Sequence, residues 1–244
     1  KIFIFFPAFG THPTIRTLGV SGTPSNTCKM FKFITELFGG SAKPAAAAAA
    51  RGAGFNSKTA VKLPADSNQA LGIAQYAKDF VGGKYGDNLD PIVWKRIQQF
   101  HTDSVMCGVS ALALKTNAPT VLRQEALTYK DGKGATVFGS TEKCAPEKAI
   151  VANSSAVREW DSNGTVFGYN PSIPGHTAGE FGHNDFYPVV LAAAQVNGNI
   201  DGKTALKAMV AIDEIRGRLA EVFSLKSYKI DHVVHGAIAS AAVY

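Results

Sequence analysis

Histidine and carboxylate side chains that could exchange protons are concentrated in two stretches of the sequence. The first, EWDSNGTVFGYNPSIPGHTAGEFGHNDFYP, contains Asp161, His176 and His183. The second, DHVVHG, contains Asp231 and His232. Histidine can act as an acid or as a base near neutral pH, so either stretch could take a proton from a substrate or return one.

The first stretch also carries groups that could hold the carboxylates of a substrate, because Asn163 offers an amide and Thr165 a hydroxyl. A polar, glycine-containing loop as long as 161–185 is usually functional or disordered when the rest of a sequence is helical. The plainer alternative is a solvated loop whose histidines lie on the surface and whose Asp161 only forms a turn. A metal site is disfavoured, because His176 and His183 lack a fixed helical spacing.

The second stretch predicts a helix that begins near Asp231 and continues towards the end of the sequence. His232 would then lie in its first turn, where the positive end of the helix dipole favours a neutral imidazole. The alternative is that Asp231 is a helix cap and that the histidine after it is an ordinary helical residue.

Helical periodicity dominates the sequence from residue 66 onward. Asp66 or Ser67 is predicted to cap a helix that ends before Gly82, and Asp90 precedes Pro91 at the start of a long helix. Further helices are predicted at 118–129, 145–160, 186–196, 202–223 (capped by Asp201) and from 231 onward, with one short strand at 135–138. The sequence therefore predicts an all-α domain over 65–244, with less than about a tenth of its residues in strands.

Residues 1–64 differ in composition from this helical domain. Positions 1–62 contain eight Lys or Arg and one acidic residue, whereas the remaining 182 residues contain 17 basic and 18 acidic ones. The net charge of +6 therefore lies in the first segment, and no basic surface for nucleic acid is expected in the helical domain. A basic, acid-poor leader is typical of a mitochondrial transit peptide, and an arm packed on a partner is the alternative. No apolar run approaches the roughly 20 residues of a membrane span.

Four later segments resemble, in their order and spacing, the family that contains 2-methylcitrate dehydratase and cis-aconitate decarboxylase. They are FHTDSVMCGVSALAL, GATVFGSTEKCAPEKAIVANSSAVREWDSNGT, GHNDFYPVVLAAAQ and EIRGRLAEVFSLKSYKIDHVVHGAIASAAV. The resemblance implies a large all-helical domain and a smaller α/β lid with the active site between them. It also implies an enzyme that needs neither a metal ion nor another cofactor.

The family's D-x-x-x-T motif falls on Asp161 and Thr165, and two active-site histidines of the family fall on His183 and His232. His176 remains an alternative to His183, since the family usually has proline and serine after this histidine and this sequence has Asn-Asp. The lid and an active-site lysine of the family have no counterpart up to residue 244. The resemblance therefore predicts an incomplete helical domain, a truncated chain and little activity from these 244 residues alone.

The leading hypothesis is a metal-independent hydro-lyase of propionate catabolism that dehydrates 2-methylcitrate in the mitochondrial matrix. Its predicted catalytic residues are His183, Asp161 and His232, and its predicted substrate-binding residues are Thr165, Asn163 and His176. A cis-aconitate decarboxylase is the close alternative. A non-catalytic structural subunit of a larger assembly is the alternative from another class. The expected partners are a small tricarboxylate and a second copy of the chain or a larger assembly.

Overall fold

The computed structural model describes residues 61–85, 87–168, 180–222 and 225–244, which are mostly helical. The α-helices of this part of the chain are α1 (Gln69–Val81), α2 (Pro91–Ala113), α3 (Asn117–Ala126), α4 (Pro146–Arg158), α5 (Tyr187–Asn197), α6 (Gly202–Val222) and α7 (Val233–Val243). A short 3-10 helix, Lys226–Tyr228, precedes α7. The all-α fold class predicted from the sequence is confirmed. The predicted leader lies outside the described residues, apart from residues 61–64.

Side-chain caps determine where several helices begin. The carboxylate of Asp90 accepts a hydrogen bond from the first turn of α2 at 2.9 Å, and α2 begins at Pro91 as predicted. The carboxylate of Asp201 accepts one from α6 at 2.7 Å, so the predicted cap is confirmed. The prediction that Asp66 or Ser67 caps α1 is wrong. Asn68 is the cap, accepting from a backbone N–H at 3.0 Å, while the hydroxyl of Ser67 donates within the preceding turn.

Two antiparallel hairpins interrupt the helices. In the first, β1 (Lys130–Thr136) pairs with β2 (Lys143–Cys144) and contains an irregularity before Ala135. The strand predicted at 135–138 overlaps β1, but β1 begins five residues earlier. The glycine-rich, polar start of this strand conceals it from a reading of hydrophobic alternation, because its first four residues are exposed.

The second hairpin joins β3 (Gly164–Phe167) to β4 (Glu180–His183). The prediction of a loop over the whole of 161–185 is therefore wrong at these two ends. The two strands are paired at four positions, from Gly164 opposite His183 to Phe167 opposite Glu180. This pairing brings the two ends of the segment together. This hairpin places the residues that follow α4 beside those that precede α5.

The apolar residues form two cores. The larger core is shared by α1, α2, α5, α6 and α7, and its largest fully buried side chains include Phe80, Ile97, Tyr187, Met209 and Ile212. The smaller core joins the first hairpin to α3, α4 and α5 through residues such as Val137, Cys144 and Ala152. Helix α5 contributes to both cores, so it holds the two halves of the described fold together.

A glycine in the first hairpin has no room for a side chain. A Cβ atom on Gly134 would lie 1.9 Å from the backbone oxygen of Cys144, whereas a Cβ atom on Gly132 would meet no atom within 4 Å. Gly134→Ala is therefore expected to lower the free energy of unfolding by about 1–3 kcal/mol, since the backbone of β2 must move. Gly132→Ala is the matched control and should stay within about 0.5 kcal/mol. Equal urea midpoints for the two variants would contradict this packing.

No single helix among the described residues is both long enough and apolar enough to cross a membrane. Helices α2 and α3 are long and apolar enough for a membrane span only when they are taken together, and their axes differ by 93°.

Candidate active site

His183 lies at the end of β4, where the hairpin presents it to the interior. Its backbone is opposite Gly164 of β3, and its side chain is only 2% exposed. The next residue, Asn184, is also buried and ties this point of the chain to α2. Its amide nitrogen donates to the backbone oxygen of Phe100 at 2.7 Å and to the carboxylate of Asp103 at 3.0 Å. Asn184 is thus fixed to α2 by its side chain.

Asp161 lies in the turn that follows α4. Its φ angle of 50° is in the left-handed region, which Asp tolerates better than most residues, and its N–H donates to the oxygen of Arg158 at 3.0 Å. The turn directs the carboxylate towards His183, whose Nε2 lies 2.8 Å from Asp161 Oδ1. The guanidinium of Arg158 pairs with the same oxygen. The side chain of Asp161 is 69% exposed, so this pair joins a buried base to a carboxylate that solvent and ligands can reach.

His232 lies at the beginning of α7 and completes the group. Its ring centroid is 5.7 Å from that of His183, and the planes of the two rings differ by 33°. Its Nδ1 is 3.2 Å from the carboxylate of Asp231, which also accepts a hydrogen bond from Val233 N at 3.1 Å. The end of β4, the turn after α4 and the start of α7 therefore bring together two histidines and one aspartate that are distant in sequence.

The surroundings of His183 keep its imidazole neutral. Burial is the main cause that lowers the pKa of His183 from 6.5 to about 4, and the charges of Arg158, His232 and Arg216 act in the same direction. The carboxylate of Asp161 acts in the opposite direction. A neutral, buried imidazole next to a carboxylate can accept a proton and then hold it as a stabilised ion pair.

The lowered pKa of His183 predicts a specific loss of stability in acid. Between pH 6.5 and 4 the unfolded chain binds a proton at this histidine and the folded chain does not, so stability falls as the pH falls through this window. The contribution is fully present above pH 6.5. The expected loss at pH 4 is on the order of 3 kcal/mol.

Urea unfolding measured at pH 4–7 can test this, with His183→Gln as the reference that removes the titrating group. The native protein should lose stability relative to that variant as the pH falls. Parallel curves for the two proteins would show that His183 is not held neutral.

The three predicted substrate-binding residues differ in burial and in whether the structure describes them. Thr165 lies on β3 opposite Gly182 and is half-buried. Asn163 is buried, and its amide nitrogen donates to the oxygen of Val157 at 3.1 Å and to the side-chain oxygen of Asn184. His176 lies outside the described residues. The binding role of all three stays a prediction.

Two arginines beside His183 escaped the sequence-based prediction. Arg158 precedes Asp161 by three residues, and this spacing after a helix could have revealed the pair. Its Nε also lies 3.8 Å from the carboxylate of Asp185. Arg216 comes from α6, 33 residues after His183, and donates to the backbone oxygen of that histidine at 2.5 Å. No local sequence pattern could have connected Arg216 with His183.

No group of three or more His, Cys, Asp or Glu side chains is placed to hold a metal ion in the described part of the chain.

The fold and the site define a class of mostly helical protein in which a buried histidine at a hairpin contacts an exposed aspartate. Residues 73–244 match the MmgE/PrpD N-terminal domain, so the chain belongs to the MmgE/PrpD family. The resemblance to the 2-methylcitrate dehydratase family, for the N-terminal part, is thereby confirmed. Membership supports a dehydratase-like role at the level of the family. No solved structure matches the chain.

Proposed function

We propose that this chain provides the helical part of the active site of a hydro-lyase that dehydrates a tricarboxylate, 2-methylcitrate being the first candidate. The observation that carries the proposal is the buried His183, with its Nε2 2.8 Å from the carboxylate of Asp161. A dehydration next to a carboxylate begins with removal of a weakly acidic C–H proton, and a neutral imidazole is suited to accept it.

In the proposed reaction His183 takes the proton from the carbon next to a substrate carboxylate. The electron pair of the broken C–H bond forms the C=C bond, and the C–O bond to the leaving hydroxyl breaks. His232, in its protonated form, donates a proton to that hydroxyl, which departs as water and leaves His232 neutral. The carboxylate of Asp161 stabilises the imidazolium formed on His183, and the 5.7 Å between the two rings allows both to reach one small substrate.

The substrate carries several carboxylates, and the site offers groups that suit them. The side chain of Arg158 is 32% exposed, and its guanidinium lies beside Asp161. The half-buried Thr165 is the other candidate on the hairpin. Charge-assisted hydrogen bonds from a guanidinium are well matched to a carboxylate, so Arg158 joins the predicted Thr165, Asn163 and His176 as a proposed ligand.

The test is a turnover assay on the intact protein with 2-methylcitrate, in which the absorbance of the new double bond is followed. Release of carbon dioxide from cis-aconitate, measured in parallel, distinguishes the decarboxylase. Dehydration without decarboxylation is the expected result. Decarboxylation without dehydration would contradict the dehydratase and favour a cis-aconitate decarboxylase. Absence of both reactions in folded, intact protein would overturn the enzymatic proposal in favour of a structural subunit.

The proposed location is the mitochondrial matrix, and it is supported by the excess of basic residues in positions 1–62. A fusion of residues 1–64 to a fluorescent protein should be imported into mitochondria. A matched fusion in which Arg16, Lys29, Lys32 and Lys43 are replaced by Glu should remain outside. Equal distribution of the two fusions would contradict the proposal.

A further inference from the structure

A buried arginine on α6 contacts both strands of the hairpin that carries His183. Arg216 Nη1 donates to the backbone oxygen of His183 at 2.5 Å. Its guanidinium carbon lies 3.8 Å from the ring centroid of Phe167 on β3. The side chain of Arg216 is itself buried, so these contacts are shielded from solvent. One side chain of α6 thus holds the end of β4 and the end of β3 together.

Two further buried side chains fix the orientation of Arg216. Asp213, three residues earlier on α6, accepts a hydrogen bond from Arg216 Nη2 at 2.7 Å. Tyr187, the first residue of α5, donates to the other oxygen of the same carboxylate at 2.6 Å. A planar guanidinium held in this way has a defined direction for each remaining N–H. Its bond to the His183 carbonyl therefore has a fixed geometry.

The same arginine also lies close to the second histidine. Arg216 and His232 both border a cavity of about 10 Å³, together with Gly182 of β4 and Gly236 of α7. The ring of Phe186 also borders it, and a Cβ atom on Gly236 would lie 2.2 Å from that ring. Arg216 thus contacts the strand of His183 and borders the same cavity as His232.

We propose that Arg216 is a positioning residue for proton transfer, a role that rests on the function proposed above. It sets the distance between His183 and His232, and it places a fixed positive charge behind His183. Among the residues that the structure describes, three more act electrostatically on His183: Arg158 at the end of α4, Asp161 in the turn after it, and His232 of α7. Arg216 differs from these in that it acts from inside the protein core.

Removal of Arg216 has two consequences for His183. The hairpin loses the bond that holds its β4 carbonyl, and a displacement of about 1 Å in a reacting group can cost up to about 100-fold in rate. The positive charge of Arg216 also helps to lower the pKa of His183, so its loss makes the imidazole easier to protonate. A residue that only stabilised the fold would cause neither effect in a protein that remains folded.

The experiment compares the double variant Asp213→Asn/Arg216→Met with the double variant Glu214→Gln/Arg218→Met in the intact protein. The first removes both charges, so no buried charge is left without its partner. The second is the matched control, because Arg218 lies on the same helix and pairs with Glu214 at 2.7 Å and Glu221 at 2.6 Å.

The first measurement is the NMR titration of the His183 ring, which needs no turnover. The pKa of His183 should rise in the double variant and stay unchanged in the control. The second measurement is the dehydratase assay, where kcat should fall by about 10- to 100-fold with KM within about threefold. An unchanged His183 titration and kcat in the folded double variant would overturn the proposal.

Arg216→Lys gives a second test if the double variant does not fold. Lysine keeps the charge but cannot present two fixed N–H groups to Asp213 and to the carbonyl at once. The His183 titration should then stay near that of the native protein while kcat falls, and a native kcat would overturn the positioning role. Absence of turnover in the native protein would instead count against the proposed function, since the NMR result is independent of it.

Discussion

Replacing His183 by glutamine is expected to lower the kcat of the intact enzyme by about 10²- to 10⁴-fold, with a smaller change in KM. Glutamine retains much of the volume of the side chain but cannot accept a proton from carbon. The measurement is steady-state dehydration of 2-methylcitrate, with circular dichroism to show that the variant is folded. His101→Gln is the control, because His101 is a partly buried histidine of α2 whose ring packs against Tyr187 at 6.2 Å. That variant should keep its kcat within about threefold.

The contact between His183 and Asp161 leads to a second prediction that the same assay can test. If Asp161 acts by stabilising protonated His183, then Asp161→Asn should slow the native enzyme but add little to His183→Gln. Additive losses in the double variant would mean that Asp161 acts separately on the substrate. Native turnover in folded His183→Gln would remove His183 from the mechanism.

The largest expected effect on stability is that of Asp213→Asn, at about 3–5 kcal/mol. This substitution leaves Arg216 buried without its carboxylate partner, whose Oδ1 lies 2.7 Å from Arg216 Nη2. It also weakens the acceptor of the buried Tyr187 hydroxyl. Chemical denaturation at pH 7 gives the value directly.

The double variant Asp213→Asn/Arg216→Met serves as the compensating control for this prediction. It should recover most of the lost stability, because both charges of the pair are then absent from the core. A small loss for Asp213→Asn alone would show that solvent reaches Arg216, and it would contradict the buried ion pair.

The helices could be predicted from the sequence because each has a local cause. Two helices with apolar residues at helical spacing are each preceded by an aspartate, Asp90 before Pro91 and Asp201 before Gly202. In the structure both helices begin at these points. The β3–β4 hairpin could not be predicted in this way. Its strands are four residues long and contain glycine, and their pairing joins residues on either side of a glycine-rich segment.

The candidate site shows the same division between local and non-local information. His183, His232 and Asp161 were identified by their resemblance to a family, and their convergence depends on three separate elements. Arg216 was missed because DEIRGRLAE has the alternating charges of a solvated helix face. In the structure Asp213, Glu214 and Arg216 are instead buried, which no charge pattern can reveal.

The pairing of Phe167 with Glu180 means that the chain returns to the hairpin beside the point where it leaves. The entropy of closing such a loop rises slowly with length, by about 0.6 kcal/mol for each doubling. The residue pairs of β3 and β4, and not the length of the chain that joins the two strands, therefore keep His183 next to the turn that carries Asp161. A change in that length should accordingly cost the acid–base pair little stability.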